Sequence, residues 1–238
     1  MEIEIQERDS WEKCRFKLIH NYQYNTDWEY AIDILTKRFE RKYFLPMEHM
    51  ILNLKRKGEG FTILTAQCAL IETFATLRTG QIFHHQKRAG APSFHYQQSA
   101  KVFTNFLQSA EIFENHFWTA KNGKKLPDLP FKALDFYDKV RCGLLHEART
   151  KGEWYINATS KELMPSGQQV FITRSGNKIK VLRTALHYLL KKHLNNYVAD
   201  LRKTDQDGEK LRRFFARKMD HIHDIAPDPV KFDWWIDK

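Results

Sequence analysis

Residues 61–78 constrain the fold more than any other stretch. Phe61, Ile63, Leu64, Ala66, Ala69, Leu70, Ile71, Phe74, Ala75 and Leu77 leave no polar face over a helical length. A helix that is apolar all round belongs at the centre of a bundle. Other helices must surround it, so the chain reads as mainly α. Glu72 is the single acidic side chain of the stretch, and Gly80 supplies its stop.

The flanking segments supply those helices. Residues 1–26 form an N-terminal segment with one short helix around 11–20. Asp27 reads as an N-cap, and Trp28, Ala31, Ile32, Leu35 and Phe39 follow at helical spacing to about Tyr43. Pro46 suits the first turn of the next helix, which runs to Lys57, and Gly58 and Gly60 break it. Residues 81–93, with His84, His85, Lys87 and Arg88, read as a basic loop. A helix over 94–118 carries a stripe of Phe103, Phe106, Leu107, Ala110, Phe113 and Phe117, which belongs to a core rather than to a base-stacking surface. Lys121, Lys124, Lys125, Pro127 and Pro130 make a basic connection to a helix over 131–150.

After Gly152 the pattern changes. Trp154-Tyr155-Ile156, Val170-Phe171-Ile172-Thr173 and Lys178-Ile179-Lys180-Val181 predict a small antiparallel β-meander, with turns at Pro165-Ser166-Gly167 and Ser175-Gly176-Asn177. A long helix follows, bearing Leu186, Leu190, Leu194, Tyr197 and Leu201, and Gly208 separates it from a final basic helix over 210–225. Trp234-Trp235 in the tail must dock on its own domain or on a neighbour. The expected division is 1–26 as N-terminal segment, 27–152 as helical bundle, and 153–238 as β-meander plus helical C-terminal extension.

Lys+Arg 39 against Asp+Glu 29 gives a net charge of +10 and a pI near 9.4, a balance that favours polyanions, nucleic acid first. Cys14, Cys68 and Cys142 are too widely spaced for a disulfide framework or a zinc signature. Met1-Glu2-Ile3-Glu4-Ile5 does not open like a signal peptide, and no stretch reads as a membrane span. A cytoplasmic location is expected. His146-Glu147 begins like a zinc-protease HExxH, but the fifth residue is Thr150. Asp220-His221-Ile222-His223-Asp224 reads as a charged helix end rather than a metal site.

Within 131–150 lies Val140-Arg141-Cys142-Gly143-Leu144-Leu145-His146-Glu147. Leu134, Tyr137, Arg141, Leu145 and Ala148 fall on one helical face, which reads as buried, and an arginine on an apolar stripe needs an anion to meet it. Arg141-x4-His146 resembles the Arg-x4-6-His motif of HEPN domains, all-helical modules that are often metal-independent ribonucleases. The resemblance extends loosely over the helices from about Trp28 to Thr150. Where the family usually places a small polar residue after the arginine, this chain has Cys142.

The resemblance implies an endoribonuclease of bacterial defence or a toxin–antitoxin system, without metal or cofactor, leaving a 2′,3′-cyclic phosphate. It makes Arg141 and His146 the catalytic pair. Histidine suits proton transfer near neutral pH, and arginine's planar fork suits a phosphorane's charge. On an ideal helix five residues turn about 140° beyond a full turn, so the two side chains do not share a face. The family places two motif helices at a two-fold axis, which implies a homodimer with a composite cleft, beside an antitoxin or defence-complex partner. Lys139, Arg149 and Lys151 are candidate RNA contacts. Glu72 is expected to orient Arg141 or His146, the alternative being a pairing with a loop lysine such as Lys87. A non-catalytic nucleotide-, RNA- or protein-binding module is the rival function.

Overall fold

The computed structural model describes residues 2–54, 58–86, 89–113, 116–117, 120–121, 124–125, 131–158, 167 and 170–236, with backbone only for residues 2, 120–121 and 124–125. In chain order the elements are α1 (Glu2–Arg15), α2 (Thr26–Phe39), a π-helical turn (Glu40–Phe44), α3 (Leu45–Asn53), α4 (Glu59–Thr79), β1 (Ile82–Phe83), β2 (His95–Tyr96) and α5 (Ser99–Ser109). Then come β3 (Ala120–Lys121), β4 (Lys124–Lys125), α6 (Ala133–Phe136), a second π-helical turn (Tyr137–Cys142), α7 (Gly143–Glu147) and β5 (Trp154–Asn157). The chain continues with β6 (Ile172–Ser175), β7 (Lys178–Leu182), α8 (Arg183–Leu201) and α9 (Gln206–Ile222). The protein is mainly helical with small sheets.

Several boundaries differ from the sequence expectation. α1 begins well before residue 11: it is a largely polar helix, braced by the Arg8–Glu12 ion pair (2.9 Å), and carries few apolar residues to mark it. Asn25, not Asp27, caps α2, its Oδ1 accepting from the backbone N of Asp27 (2.9 Å) and Trp28 (3.1 Å). Asp27 sits in the first turn, where its charge meets the helix dipole. Gly60 lies inside α4 rather than before it. The helix expected over 94–118 is shorter, because His95–Tyr96 pairs in parallel with Ile82–Phe83 and Ser99 opens α5 only afterwards. Lys87, Arg88, Trp118, Pro127, Pro130, Pro165 and Ser166 lie outside the described residues.

The β-meander also needs correction. The strand order is β5-β7-β6: β6 and β7 form an antiparallel hairpin, but β5 pairs with β7 in parallel. The two-residue turn Gly176-Asn177, with Gly176 at φ +57°, makes the hairpin local. Residues 158–171 separate β5 from β6 in the sequence, and β5 takes the other edge of β7.

The chain divides into two compact units, each assembled from segments distant in sequence, whereas the sequence reading divides it at 26/27 and 152/153. The first comprises Met1–Lys42, Phe74–Ser99 and Leu194–Lys238. Its core includes Trp11, Trp28, Phe215 and Trp234, with Phe215 edge-on to both Trp11 (6.0 Å) and Trp28 (6.2 Å). The second comprises Tyr43–Thr73 and Ala100–His193. Phe136 is fully buried there, ringed by Phe103 (6.2 Å), Trp154 (5.8 Å) and Phe171 (6.4 Å). That anchor fixes the start of the motif segment.

Candidate active site around Arg141

The motif sits on one run of helix built from α6, the π turn and α7. A π turn carries an extra residue per turn and is a costly irregularity that recurs at functional sites. Here it spans Tyr137–Cys142 and therefore contains Arg141. Ala133, Phe136, Val140, Gly143 and Leu144 face the core. The face expected to be buried is the outer one: Leu134 is 41% exposed and Leu145 49%. The volume of Phe136 and Val140 against the aromatic cluster outweighs that of the alternative stripe, and it turns Arg141 toward α4.

Arg141 Nη2 donates to Glu72 Oε2 at 3.3 Å, with the two side chains 19% and 22% exposed. The guanidinium also lies over the Tyr137 ring, 5.2 Å from its centroid. Burial opposes the charge on Arg141, but Tyr137, Glu72 and Cys142 together hold its pKa above the ordinary value. The half-buried arginine thus meets its anion, and Glu72 is the expected residue. A guanidinium has five N–H donors. With Nη2 turned to Glu72, it retains donors for a phosphate at the half-exposed surface.

His146 makes no hydrogen bond to Arg141 or Glu72 among the described residues. It lies exposed in the last turn of α7 and makes no hydrogen bond or ion pair among the described residues. The loop after it folds back tightly. Ala148 takes the left-handed conformation (φ +51°), Arg149 N donates to Gly143 O (3.3 Å), and Lys151 N donates to Lys139 O (2.9 Å). Gly143 permits this closure: a Cβ there would stand 2.5 Å from Arg149 O. The three candidate RNA contacts all face carboxylates, Lys139 with Glu153 (3.1 Å), Arg149 with Glu147 (3.5 Å) and Lys151 with Glu147 (2.6 Å). Lys151 holds the Glu147 carboxyl below its usual range.

Two participants escaped sequence reasoning. Tyr137 is a neighbour of Arg141 by spacing, four residues earlier, but no feature of the sequence marks it as the ring beneath the guanidinium. Cys68 lies one turn before Glu72 on α4, and burial pushes its thiol up to about 12, so it is an inert neutral wall of the site. Among the described residues no cluster of three or more histidine, cysteine or acidic side chains is placed to hold a metal ion.

The segment therefore offers a charged, partly exposed arginine, a carboxylate that orients it, and an exposed histidine on the same helix. No family model matches the chain, no curated protein matches it, and no solved structure matches it.

Proposed function

We propose that the chain is a metal-independent endoribonuclease of HEPN type, acting as a homodimer in bacterial defence or as the toxin of a toxin–antitoxin pair. The observation that carries this reading is Arg141 seated on a π turn against Glu72 and Tyr137, with His146 exposed on the continuing helix. In the reaction the ribose 2′-oxygen attacks phosphorus and loses its proton to a base. The bond from phosphorus to the 5′-oxygen breaks, and that oxygen takes a proton. The products are a 2′,3′-cyclic phosphate and a 5′-hydroxyl. Arg141 meets the negative charge that gathers on the phosphorane. His146 moves a proton.

One histidine serves one of the two proton transfers. A second copy across a two-fold axis supplies the other, and the exposed Leu134 and Leu145 give the motif helix an apolar face to bury there. Purified protein is expected to cleave total cellular RNA in EDTA, leaving cyclic-phosphate ends. His146→Ala should slow cleavage about 100-fold or more. Glu72→Gln should keep the fold and lose much of the rate. Cleavage by His146→Ala at the wild-type rate, or its abolition by EDTA, overturns the assignment.

A binding-only HEPN-like module is the second reading. The exposed His146, which makes no hydrogen bond to Arg141 among the described residues, favours it, as does Cys142 in place of a small polar residue. Binding of RNA or nucleotide without cleavage over long incubation selects it.

A further inference from the structure

The three-stranded sheet of the second unit has one face in the core and one in solvent. Trp154, Ile179, Val181 and Ile172 are buried on the inner side. In the paired register Tyr155 stands beside Lys180, Thr173 beside Lys180 and Ser175 beside Lys178. Directly paired residues share a face, so Tyr155, Lys178, Lys180, Thr173 and Ser175 form the outer surface, which ends where Asn157 pairs with the buried Leu182. Tyr155 is 47% exposed, and Lys178 Nζ lies 5.5 Å from its ring centroid. Residues 154–157, 172–175 and 178–182 contain no acid. Lys178 and Lys180 project from one strand about 6.6 Å apart, close to the step between phosphates of an extended strand.

An aromatic ring flanked by two lysines that make no ion pair among the described residues fits single-stranded nucleic acid. Bases stack on the ring without sequence preference, and the lysines take the backbone. The surface is also tied to the motif segment within the same unit. Glu153, the residue before β5, pairs with Lys139 of the π turn (3.1 Å) and accepts from Ile179 N of β7 (2.8 Å). We infer that the outer face of the β5-β7-β6 sheet binds single-stranded RNA, with Tyr155 as the stacking platform and Lys178 and Lys180 as phosphate contacts. The choice of RNA rests on the ribonuclease reading of Arg141 and His146.

The test uses a short fluorescein-labelled oligouridine carrying 2′-O-methyl groups, which cannot form a cyclic phosphate, so binding is read without cleavage. Anisotropy titrations of the full chain should show Tyr155→Ala weakening binding about tenfold and Tyr155→Phe retaining it. Lys178→Ala with Lys180→Ala should lower the slope of log affinity against log salt by about 1.4, two phosphate contacts on a single strand. Circular dichroism melts confirm that each variant is folded. Unchanged affinity and salt slope in folded Tyr155→Ala and in the double-lysine variant overturn the inference, even where the enzyme cleaves. Wild-type binding that these variants lose upholds it, even where no cleavage is found and the catalytic reading falls.

Discussion

His223 is 6% exposed in the first unit, and its Nε2 has no hydrogen-bond partner among the described residues. Burial, and then Arg38, Lys42 and Arg8 around it, push its pKa down from 6.5 to about 4, with Glu12 opposing weakly. The unfolded chain therefore binds a proton between about pH 6.5 and 4 that the native state refuses. Stability rises with pH wherever the unfolded state holds more protons, so this contribution is full above pH 6.5 and is lost as pH falls toward 4. The loss amounts to about 3 kcal/mol below both values. Urea midpoints measured across this range should fall more steeply for wild type than for His223→Gln; parallel curves would refute the assignment. In the sequence His223 was legible only as part of a charged helix end. Its burial comes from segments distant in the chain, which no local pattern reports. Arg141 was more legible, because a cation inside an apolar run demands an acid and residues 61–78 hold a single one, Glu72.

At the scale of elements, strong periodicity carried the long helices, and single-residue departures from it were invisible. α4 and α8 lie where their apolar patterns place them. The π turn did not show, since one extra residue in a 15-residue run leaves the amino-acid types helical while rotating everything after it, and the stripe through Leu134 and Leu145 emerged on the outside. The sequence places a break at Gly208, but the residue lies in the first turn of α9, which Asp205 caps by accepting from Gly208 N (2.8 Å); a glycine is needed there because Lys203 O occupies the place of a Cβ. The same logic gives two opposite expectations six residues or less apart in the motif segment. Gly143→Ala forces the returning loop away from α7 and should cost about 1–3 kcal/mol. Ala148→Gly relieves a left-handed backbone held by an alanine and should gain about 0.5–1 kcal/mol. Thermal melts of the two variants should move in opposite directions, and a destabilised Ala148→Gly would contradict the left-handed cap.

At the scale of the whole molecule, the tail and α1 converge on one buried carboxylate. Asp220, fully buried on α9, accepts from Trp11 Nε1 (2.8 Å), Arg15 Nη2 (2.7 Å), Trp234 Nε1 (2.8 Å) and Trp235 Nε1 (2.9 Å). Burial raises its pKa, while the indoles and Arg15 pull it back toward ionisation. The sequence left two seats for Trp234-Trp235, its own domain or a neighbour; both indoles are inside the first unit, 0% and 5% exposed. Arg217 Nε ties the same tail down by donating to Trp234 O (2.7 Å). The tail is therefore part of a core, and its removal acts on folding before it acts on any assembly. Trp235→Phe keeps most of the ring and deletes one donor to an anion, at a cost of about 1–3 kcal/mol. Truncation of residues 227–238 removes two donors at once and bares the apolar surface beneath both rings. It should abolish the cooperative melt of the first unit and leave Asp220 with Trp11 and Arg15 alone. A truncated chain that melts as cooperatively and at the same temperature as the full chain would show that Asp220 does not need the tail.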